Sequence, residues 1–304
     1  MRKRSPRSSL GCGDGAMGDG AMTAASNSSD QTLELRRVAN RLRRQVVRMV
    51  ARLGQGYVQQ GLGAADLFTS LFFSELRLDP ARPDWPDRDR FLLSTAHNSA
   101  LFHATLAERG FLTPAQLDSY CNDGSALEVN VSERLGSMVE ATCGSLGQGP
   151  SGGLGMALSG RRRQRRYRVY VLLGDGELQE GQVWEAFMAA AGYGVDNLCL
   201  IVDLNDMQVE GRTDSAMPLG DVAAKLAAFG WATEEIDGHD FPSILGAFDR
   251  ARETRGRPSA IVARTLVGKG APSLEGIIGH VMKLPGEAAD RAMAELEQQA
   301  ETLR

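Results

Sequence analysis

The chain has 304 residues, of which 42% are hydrophobic and 24% are charged, and its formal net charge is −4 at pH 7. This composition is typical of a folded domain and lacks the strong positive charge that nucleic-acid binding requires. No run of about 18 apolar residues occurs, which excludes a transmembrane helix. We therefore expect neither a nucleic acid nor a membrane as a partner.

The first 31 residues mix Arg, Ser, Gly and Ala and contain no apolar stretch suitable for a signal peptide. We expect residues 1–31 to be a disordered tail. Met17 and Met22 are alternative starts of the chain, and either would make the preceding basic residues an artefact of the reading frame.

The four cysteines, Cys12, Cys121, Cys143 and Cys199, show neither paired metal spacing nor a dense disulfide pattern. This arrangement predicts reduced thiols, which are typical of a cytoplasmic protein.

Helical and extended patterns alternate after the tail. Apolar residues recur near the helical period from Thr32, and further helices are predicted at 64–76, 99–109, 152–158, 180–193, 222–230 and 241–252. Short apolar strands are predicted at 91–94, 169–173, 198–203 and 259–264, with a solvated basic loop at 161–166. The alternation predicts an α/β fold, with a parallel sheet covered by helices on both faces. We expect one binding domain over residues 32–285, followed at 286–304 by an acidic C-terminal helix or tail that leads toward a partner.

Asp175 follows a buried strand and lies between Gly174 and Gly176, and Asn205 follows the next apolar strand. The glycines let backbone N–H groups approach an anion, while Asp and Asn supply the oxygen ligands that magnesium or calcium prefers. The spacing leaves room for one crossover helix, so both residues should emerge at the same sheet edge. The pattern predicts a metal site that holds a diphosphate. Two other Gly-Asp-Gly copies near the N-terminus have no flanking strand or helix and are interpreted as turns.

The run from Gly174 to Ala186, followed by Asn205, resembles the thiamine-diphosphate motif of transketolases. Four more segments follow in family order. Residues 89–97 resemble Asp-Arg-Phe-x-Leu-Ser-x-Gly-His and residues 139–149 resemble the Gly-Pro-Leu-Gly-Gln-Gly region; after these come Asp237-Gly238-His239-Asp240 and Gly268-Lys269-Gly270 with His280. The resemblance covers roughly residues 35–285 and implies a thiamine-diphosphate-binding fold and a transketolase-like transferase.

The resemblance implies thiamine diphosphate and Mg²⁺ or Ca²⁺ as cofactors. It implies metal binding by the side chains of Asp175 and Asn205 and by the Met207 carbonyl. Residues implied to surround the cofactor are Gly144, Leu146, Gly174, Asp175, Gly176, Glu177, Asn205, Val209, His97 and His280. Those implied to act in catalysis are His97 and His280, near the diphosphate and the thiazolium, and Glu180 and Glu185, which resemble acids that link two active sites across a subunit interface. A solvated helix face is the alternative interpretation of the two glutamates.

A whole transketolase also contains a pyrimidine-binding domain and a third domain, for which 304 residues are too few. The resemblance therefore implies the N-terminal subunit of a split transketolase, inactive by itself. A separate C-terminal subunit would supply the pyrimidine-binding domain and its activating glutamate, and we expect an α2β2 assembly.

Two departures from the family pattern concern the substrates. Tyr57 and Asn130 fall where the family has histidines that contact sugar hydroxyls, and neither side chain titrates near neutral pH. The first hypothesis is transfer of a two-carbon ketol or acyl unit between a small-molecule donor and a carbonyl acceptor. Decarboxylation of a 2-oxo acid such as pyruvate, and a non-catalytic role as a cofactor-binding partner, are the alternatives.

Two other histidines have simpler interpretations. His103 is expected to be a packed or surface residue, and His239 is expected to fix a loop through side-chain hydrogen bonds.

Overall fold

The computed structural model describes residues 19–304, with side chains described from Ser29 onward. Its helices are α1 (Asp19–Leu53), α2 (Val58–Ser70), α3 (Ser99–Glu108), α4 (Pro114–Leu117), α5 (Gly149–Arg162), α6 (Gly181–Gly192), α7 (Thr213–Ala216), α8 (Val222–Ala228), α9 (Phe241–Glu253) and α10 (Gly286–Thr302). Its strands are β1 (Gln55–Gly56), β2 (Arg90–Leu93), β3 (Val169–Gly174), β4 (Leu198–Leu204), β5 (Met207–Gln208), β6 (Gly211–Arg212), β7 (Ala232–Asp237), β8 (Ser259–Arg264) and β9 (Met282–Lys283). A π-helical turn (Leu71–Glu75) and two 3₁₀ turns (Glu133–Leu135 and Asp175–Gln179) complete the elements.

The central sheet has five parallel strands in the order β2-β3-β4-β8-β7, which confirms the predicted parallel α/β architecture. The edge strand β7 was not predicted. Its sequence, Ala-Thr-Glu-Glu-Ile-Asp, is polar because the strand lies at the edge and is largely accessible. Glu234 and Glu235 on this strand pair with Arg250 and Arg264.

Alternate strand residues enter two separate cores, one on each face of the sheet. In β3, Tyr170 and Leu172 pack with residues of α1, α2, α3 and α9, while Val169, Val171 and Leu173 pack with residues of α5, α6 and α8. Strands buried on both faces read as nearly continuous apolar runs, which is why β3 and β4 were predictable.

Three helices begin earlier than their sequence patterns indicated: α5 by three residues, and α1 and α2 by more. α1 extends back to Asp19, within the segment 1–31 predicted to be disordered, and residues 1–18 lie outside the described residues. Once a helix is anchored by packing, adding a turn needs no new nucleation, so a polar segment is able to continue it. α2 begins at Val58, although glycines at 61 and 63 weaken the helical pattern there, because every residue of this helix is buried.

The C-terminal segment is helical, as predicted, and it packs on α1 of its own chain. Ala292 and Leu296 of α10 are fully buried, and Asn40 Nδ2 of α1 donates to the Leu296 carbonyl at 2.9 Å. The basic run 161–166 is exposed as predicted, although α5 includes its first two residues.

Cys121, Cys143 and Cys199 are free thiols, in agreement with the prediction, and Cys12 lies outside the described residues. Between residues 19 and 304, no helix has the length and apolar character needed to span a bilayer.

A buried polar network joins α1, α2 and the loop that carries His239. Arg43 donates to Asp66 at 2.6 Å, and His239 Nδ1 lies 2.8 Å from the same carboxylate oxygen. His239 Nε2 accepts the backbone N–H of Leu266, so the ring proton must lie on Nδ1 and point to Asp66. Burial raises the pKa of Asp66, but Arg43 and His239 outweigh it and hold that pKa below its usual value. The predicted loop-fixing role of His239 is confirmed.

We expect Asp66→Ala to destabilise the chain by about 3–5 kcal/mol, because it leaves the buried guanidinium of Arg43 without its carboxylate. Urea unfolding followed by circular dichroism measures the change. Glu297→Ala is the matched control, because its partner Arg44 follows Arg43 on α1 but the pair is solvent-exposed. It should cost less than about 1 kcal/mol; equal losses in both variants would contradict the assignment.

Candidate functional site

The carboxyl ends of three neighbouring strands meet at one edge of the sheet. Ser94 and His97 follow β2, Asp175 follows β3, and Asn205 follows β4, with Leu93 paired to Leu172 and Gly174 paired to Asp203. Ligands bind at such edges in open α/β sheets. Here the strand ends border a cleft with about 710 Å³ of empty space, called the cleft below.

Asp175 is almost fully buried at the centre of the cleft. Its Oδ2 accepts the backbone N–H of Asp206 at 2.7 Å and the hydroxyl of Thr213 at 3.1 Å. Burial, and next the neighbouring Asp203 carboxyl, raises the pKa of Asp175 to about 7. Two neighbouring buried carboxyl groups disfavour each other's ionisation. A bound cation would offset this repulsion.

Asn205 and Met207, which the sequence predicts to bind the metal together with Asp175, line the cleft beside it. Asn205 Nδ2 donates to Asp203 at 3.1 Å and Asn205 Oδ1 accepts the Met207 N–H at 3.0 Å, so the amide is fixed beside the two carboxyl groups. Across residues 19–304, no group of three or more His, Cys, Asp or Glu side chains is arranged for a metal. The carboxylate of Asp175, the amide oxygen of Asn205 and the carbonyl of Met207 are oxygen groups of the kind that a hard divalent cation prefers.

Glu177 holds three segments of the cleft together. Its Oε1 accepts the Ser94 hydroxyl at 2.5 Å and the Gly147 N–H at 2.8 Å, and its Oε2 accepts the Gly174 N–H at 3.0 Å. Burial raises the pKa of Glu177, and these three hydrogen bonds counter the effect of burial. The resemblance implies Glu177 as a cofactor-binding residue, and the structure places it in the lining of the cleft, where its carboxylate makes these three hydrogen bonds.

Three rings from distant parts of the chain pack together, and two of them, His97 and His280, line the cleft. The ring centroids of His97 and His280 lie 4.9 Å apart, and the Tyr57 ring lies 5.0 Å from the first and 5.2 Å from the second. Burial, followed by the neighbouring His280, lowers the pKa of His97 to about 3, and burial also lowers the pKa of His280. Both imidazoles are therefore neutral at pH 7.

Most of the residues selected from the sequence line the cleft, and two do not. The lining includes Leu146, Gly174, Asp175, Gly176, Glu177, Glu180, Asn205, Met207, Val209, His97 and His280. Gly144 is exposed in the preceding loop, and Glu185 is exposed on α6. A side chain at Gly176 would put its Cβ 2.9 Å from Gln208 Cβ, so only glycine fits there.

Sequence reasoning missed several side chains of the cleft. They are Gln60, Thr95, Asn98, Gln179, Asp203 and Gln208. Asp203 and Thr95 lie near the ends of predicted strands, so their positions gave a usable signal. Gln60 had none, because it reaches the cleft through a contact with His280 that spans 220 residues.

Asn130, which the resemblance places where the family has a substrate-side histidine, is exposed and is not part of the cleft lining. Its neighbours are bound to the segment that carries His97: the Val131 N–H donates to the Ala96 carbonyl at 3.0 Å, and Ser99 donates to the Val129 carbonyl at 2.7 Å. Asn130 therefore lies on a loop beside the cleft, whereas Tyr57 contacts the histidines directly.

Comparison with known proteins agrees with this geometry. Residues 35–290 match the family described as transketolase, thiamine diphosphate binding domain. The 6-deoxy-6-sulfo-D-fructose transketolase subunit SqwG of Clostridium sp. (strain MSTE9) is 38% identical over 272 residues, which cover 89% of this chain and 99% of that protein. One of the subunits of the apulose-4-phosphate transketolase of Phocaeicola vulgatus is 33% identical over 274 residues, covering 90% and 96% of the two chains.

Solved structures give the same result. The transketolase of Campylobacter jejuni subsp. jejuni superposes with a TM-score of 0.82 and 31% identity over 88% of this chain. The match covers only 42% of that transketolase.

We expect Glu177→Gln to destabilise the chain by about 1–3 kcal/mol, because an amide cannot accept from all three donors and leaves at least one buried N–H unpaired. Urea unfolding measures the loss. Glu185→Gln, an exposed change on the neighbouring helix α6, should stay within about 0.5 kcal/mol of the original chain. A Glu177→Gln variant as stable as this control would show that the carboxylate does not hold the three segments.

Proposed function

The chain belongs to the transketolase family, and we propose that it is the diphosphate-binding subunit of a two-component transketolase. In this proposal it transfers a two-carbon ketol unit from a ketose donor to an aldehyde acceptor. The observation that carries the proposal is the cleft itself, which brings Asp175, Asn205 and Met207 to the sheet edge together with the neutral imidazoles of His97 and His280.

Thiamine diphosphate supplies the electron sink for carbon–carbon bond cleavage when it is bound. Asp175, Asn205 and the Met207 carbonyl would hold Mg²⁺ or Ca²⁺, and the pair of buried carboxyl groups supports this role because their repulsion favours a bound cation. Gly176 has no side chain, so a ligand is able to approach its backbone closely, which supports a role in diphosphate binding. Leu146 and Val209 line the cleft and offer apolar contacts for the cofactor rings.

The two neutral imidazoles are able both to donate and to accept hydrogen bonds. A neutral imidazole has one N–H donor and one acceptor nitrogen, so His97 and His280 are each able to donate to a developing oxyanion or to exchange a proton with a hydroxyl. Tyr57 contacts both rings, and its role in this proposal is packing and exclusion of water.

The proposed partner is a separate subunit with the pyrimidine-binding domain and its activating glutamate, in an α2β2 assembly. Two relatives named as subunits support it, because their lengths are matched over 99% and 96%. Glu180 and Glu185 are both exposed, as an interface role requires. We place the assembly in the cytoplasm, which is consistent with the free thiols of the described residues.

The proposed donor is a sugar or sugar derivative. The names of two relatives specify 6-deoxy-6-sulfo-D-fructose and apulose-4-phosphate, both of which are acidic sugar derivatives. Tyr57 replaces a histidine beside the two remaining imidazoles, so we expect the donor preference to differ from that of transketolases that retain it.

The test of function mixes this chain with a pyrimidine-domain subunit, thiamine diphosphate, Mg²⁺ and an acceptor aldehyde. Xylulose 5-phosphate, 6-deoxy-6-sulfo-D-fructose and pyruvate are supplied separately, and products are identified by mass spectrometry. We expect a ketose to lose two carbons and the aldehyde to gain them, with no turnover when either component is supplied without the other. Release of CO₂ from pyruvate without ketose consumption would replace ketol transfer by the 2-oxo acid alternative.

The metal assignment has its own test. In the assembled complex, Asp175→Ala should weaken Mg²⁺-dependent binding of thiamine diphosphate by about 100-fold or more, because it removes the only charged ligand of the proposed set. Titration calorimetry with and without EDTA measures the effect. Asp290→Ala, an exposed change on α10, is the control and should bind as the original complex does. Tight, EDTA-insensitive binding by the Asp175 variant would overturn the assignment.

A further inference from the structure

Two consecutive glutamines at the start of α2 hold the segment that carries His280. Gln59 and Gln60 are buried, and their amide groups donate to the Ile277 carbonyl at 2.8 Å and to the His280 carbonyl at 2.7 Å. Each hydrogen bond satisfies a backbone carbonyl of this segment that would otherwise need a water molecule as its partner. Both glutamines therefore fix the backbone on which the imidazole is mounted.

Gln60 also reaches the imidazole itself. Its Nε2 lies 3.3 Å from His280 Nδ1. The orientation of the amide is set by the backbone, because a carbonyl oxygen only accepts hydrogen bonds and the side-chain atom 2.7 Å from it must be the nitrogen. Nδ1 thus faces an N–H donor and must be the acceptor, which leaves the ring proton on Nε2.

We propose that Gln60 is a positioning residue that holds His280 in the neutral tautomer protonated at Nε2, so that the ring presents an N–H donor to the ligand of the cleft. The effect on turnover rests on the proposed function, whereas the tautomer itself does not. Protonation of Nδ1 would direct its N–H at the amide NH₂ of Gln60, so the same contact disfavours the charged ring.

The surroundings of His280 supply no competing partner for Nδ1 among the contacts of the described residues. His97, from the loop after β2, and Tyr57, at the start of α2, face the ring as neutral aromatic groups. Acidic groups that line other parts of the cleft are Asp175, Glu177, Glu180 and Asp203, and Lys283 follows along the chain on β9. Burial lowers the pKa of His280, in the direction that the Gln60 contact also favours.

The experiment uses the complex assembled with the partner subunit, thiamine diphosphate and Mg²⁺. Only this chain carries ¹⁵N-histidine, and its four histidines make the spectrum simple enough to assign by replacing His280 with Asn. Nitrogen chemical shifts report which ring nitrogen is protonated, and kcat, KM and the pH profile of kcat are measured on the same samples. The variants are Gln60→Glu and Gln60→Met, with Gln59→Met as the matched control because Gln59 binds the same segment without touching the ring.

We expect Nε2–H in the original complex and in Gln59→Met. In Gln60→Glu the carboxylate should draw the proton to Nδ1, lower kcat by about 100-fold and move the acidic limb of the pH profile upward, since a carboxylate favours the charged ring. Gln60→Met should give a mixture of tautomers, with a smaller loss of kcat and little change in KM.

Nδ1–H in the original complex, or a Gln60→Glu complex with unchanged tautomer and kcat, would overturn the proposal. Equal effects of Gln59→Met and Gln60→Met would do the same, because they would reduce Gln60 to a support of the backbone. If the original complex transfers no ketol unit, the proposed function fails, and the nitrogen shifts alone decide the role of Gln60.

Discussion

The buried carboxylate of Glu177 is the interaction on which the geometry of the cleft depends. Its three donors come from the loop after β2, the segment before α5 and the end of β3, so one side chain fixes their relative positions. The same packing leaves no space at Gly149, where an added Cβ would lie 2.5 Å from Ser94 Cβ. A precise ligand site at a sheet edge needs such a second layer, because the loops have no strand partners of their own.

The cleft is lined by two kinds of ionisable group, the carboxyl groups of Asp175 and Asp203 and the imidazoles of His97 and His280. Asp175 and Asp203 crowd two carboxyl groups into a buried position, and burial raises the pKa of both. The imidazoles of His97 and His280 carry no charge at neutral pH. A diphosphate entering this cleft would be repelled by the carboxylates and would interact with the imidazoles only through their dipoles. A divalent cation bound beside Asp175 would offset the carboxylates and attract the phosphate oxygens.

The parts of the structure that were predictable are those with a local pattern. β3 and β4 are continuous apolar runs, and Asp175 and Asn205 follow them at the points where parallel strands place ligands. β7 was missed because an edge strand has no apolar run to mark it. The contacts of Gln60 with His280 and of Glu177 with Ser94 join distant residues, so only the folded chain brings them together.

Tyr57 and Gln60 are two neighbours of His280 that bear on its chemistry. Both lie at the start of α2, and both contact His280, one with a ring and the other with an amide. In the proposed function, proton transfer within this chain falls on the imidazoles of His97 and His280. A pair of imidazoles kept neutral by burial works as donor and acceptor only if each ring has a defined tautomer. In the proposed function, the residues around the two histidines would determine which proton each one offers, and substrate selection would depend on those neighbours as well as on the histidines.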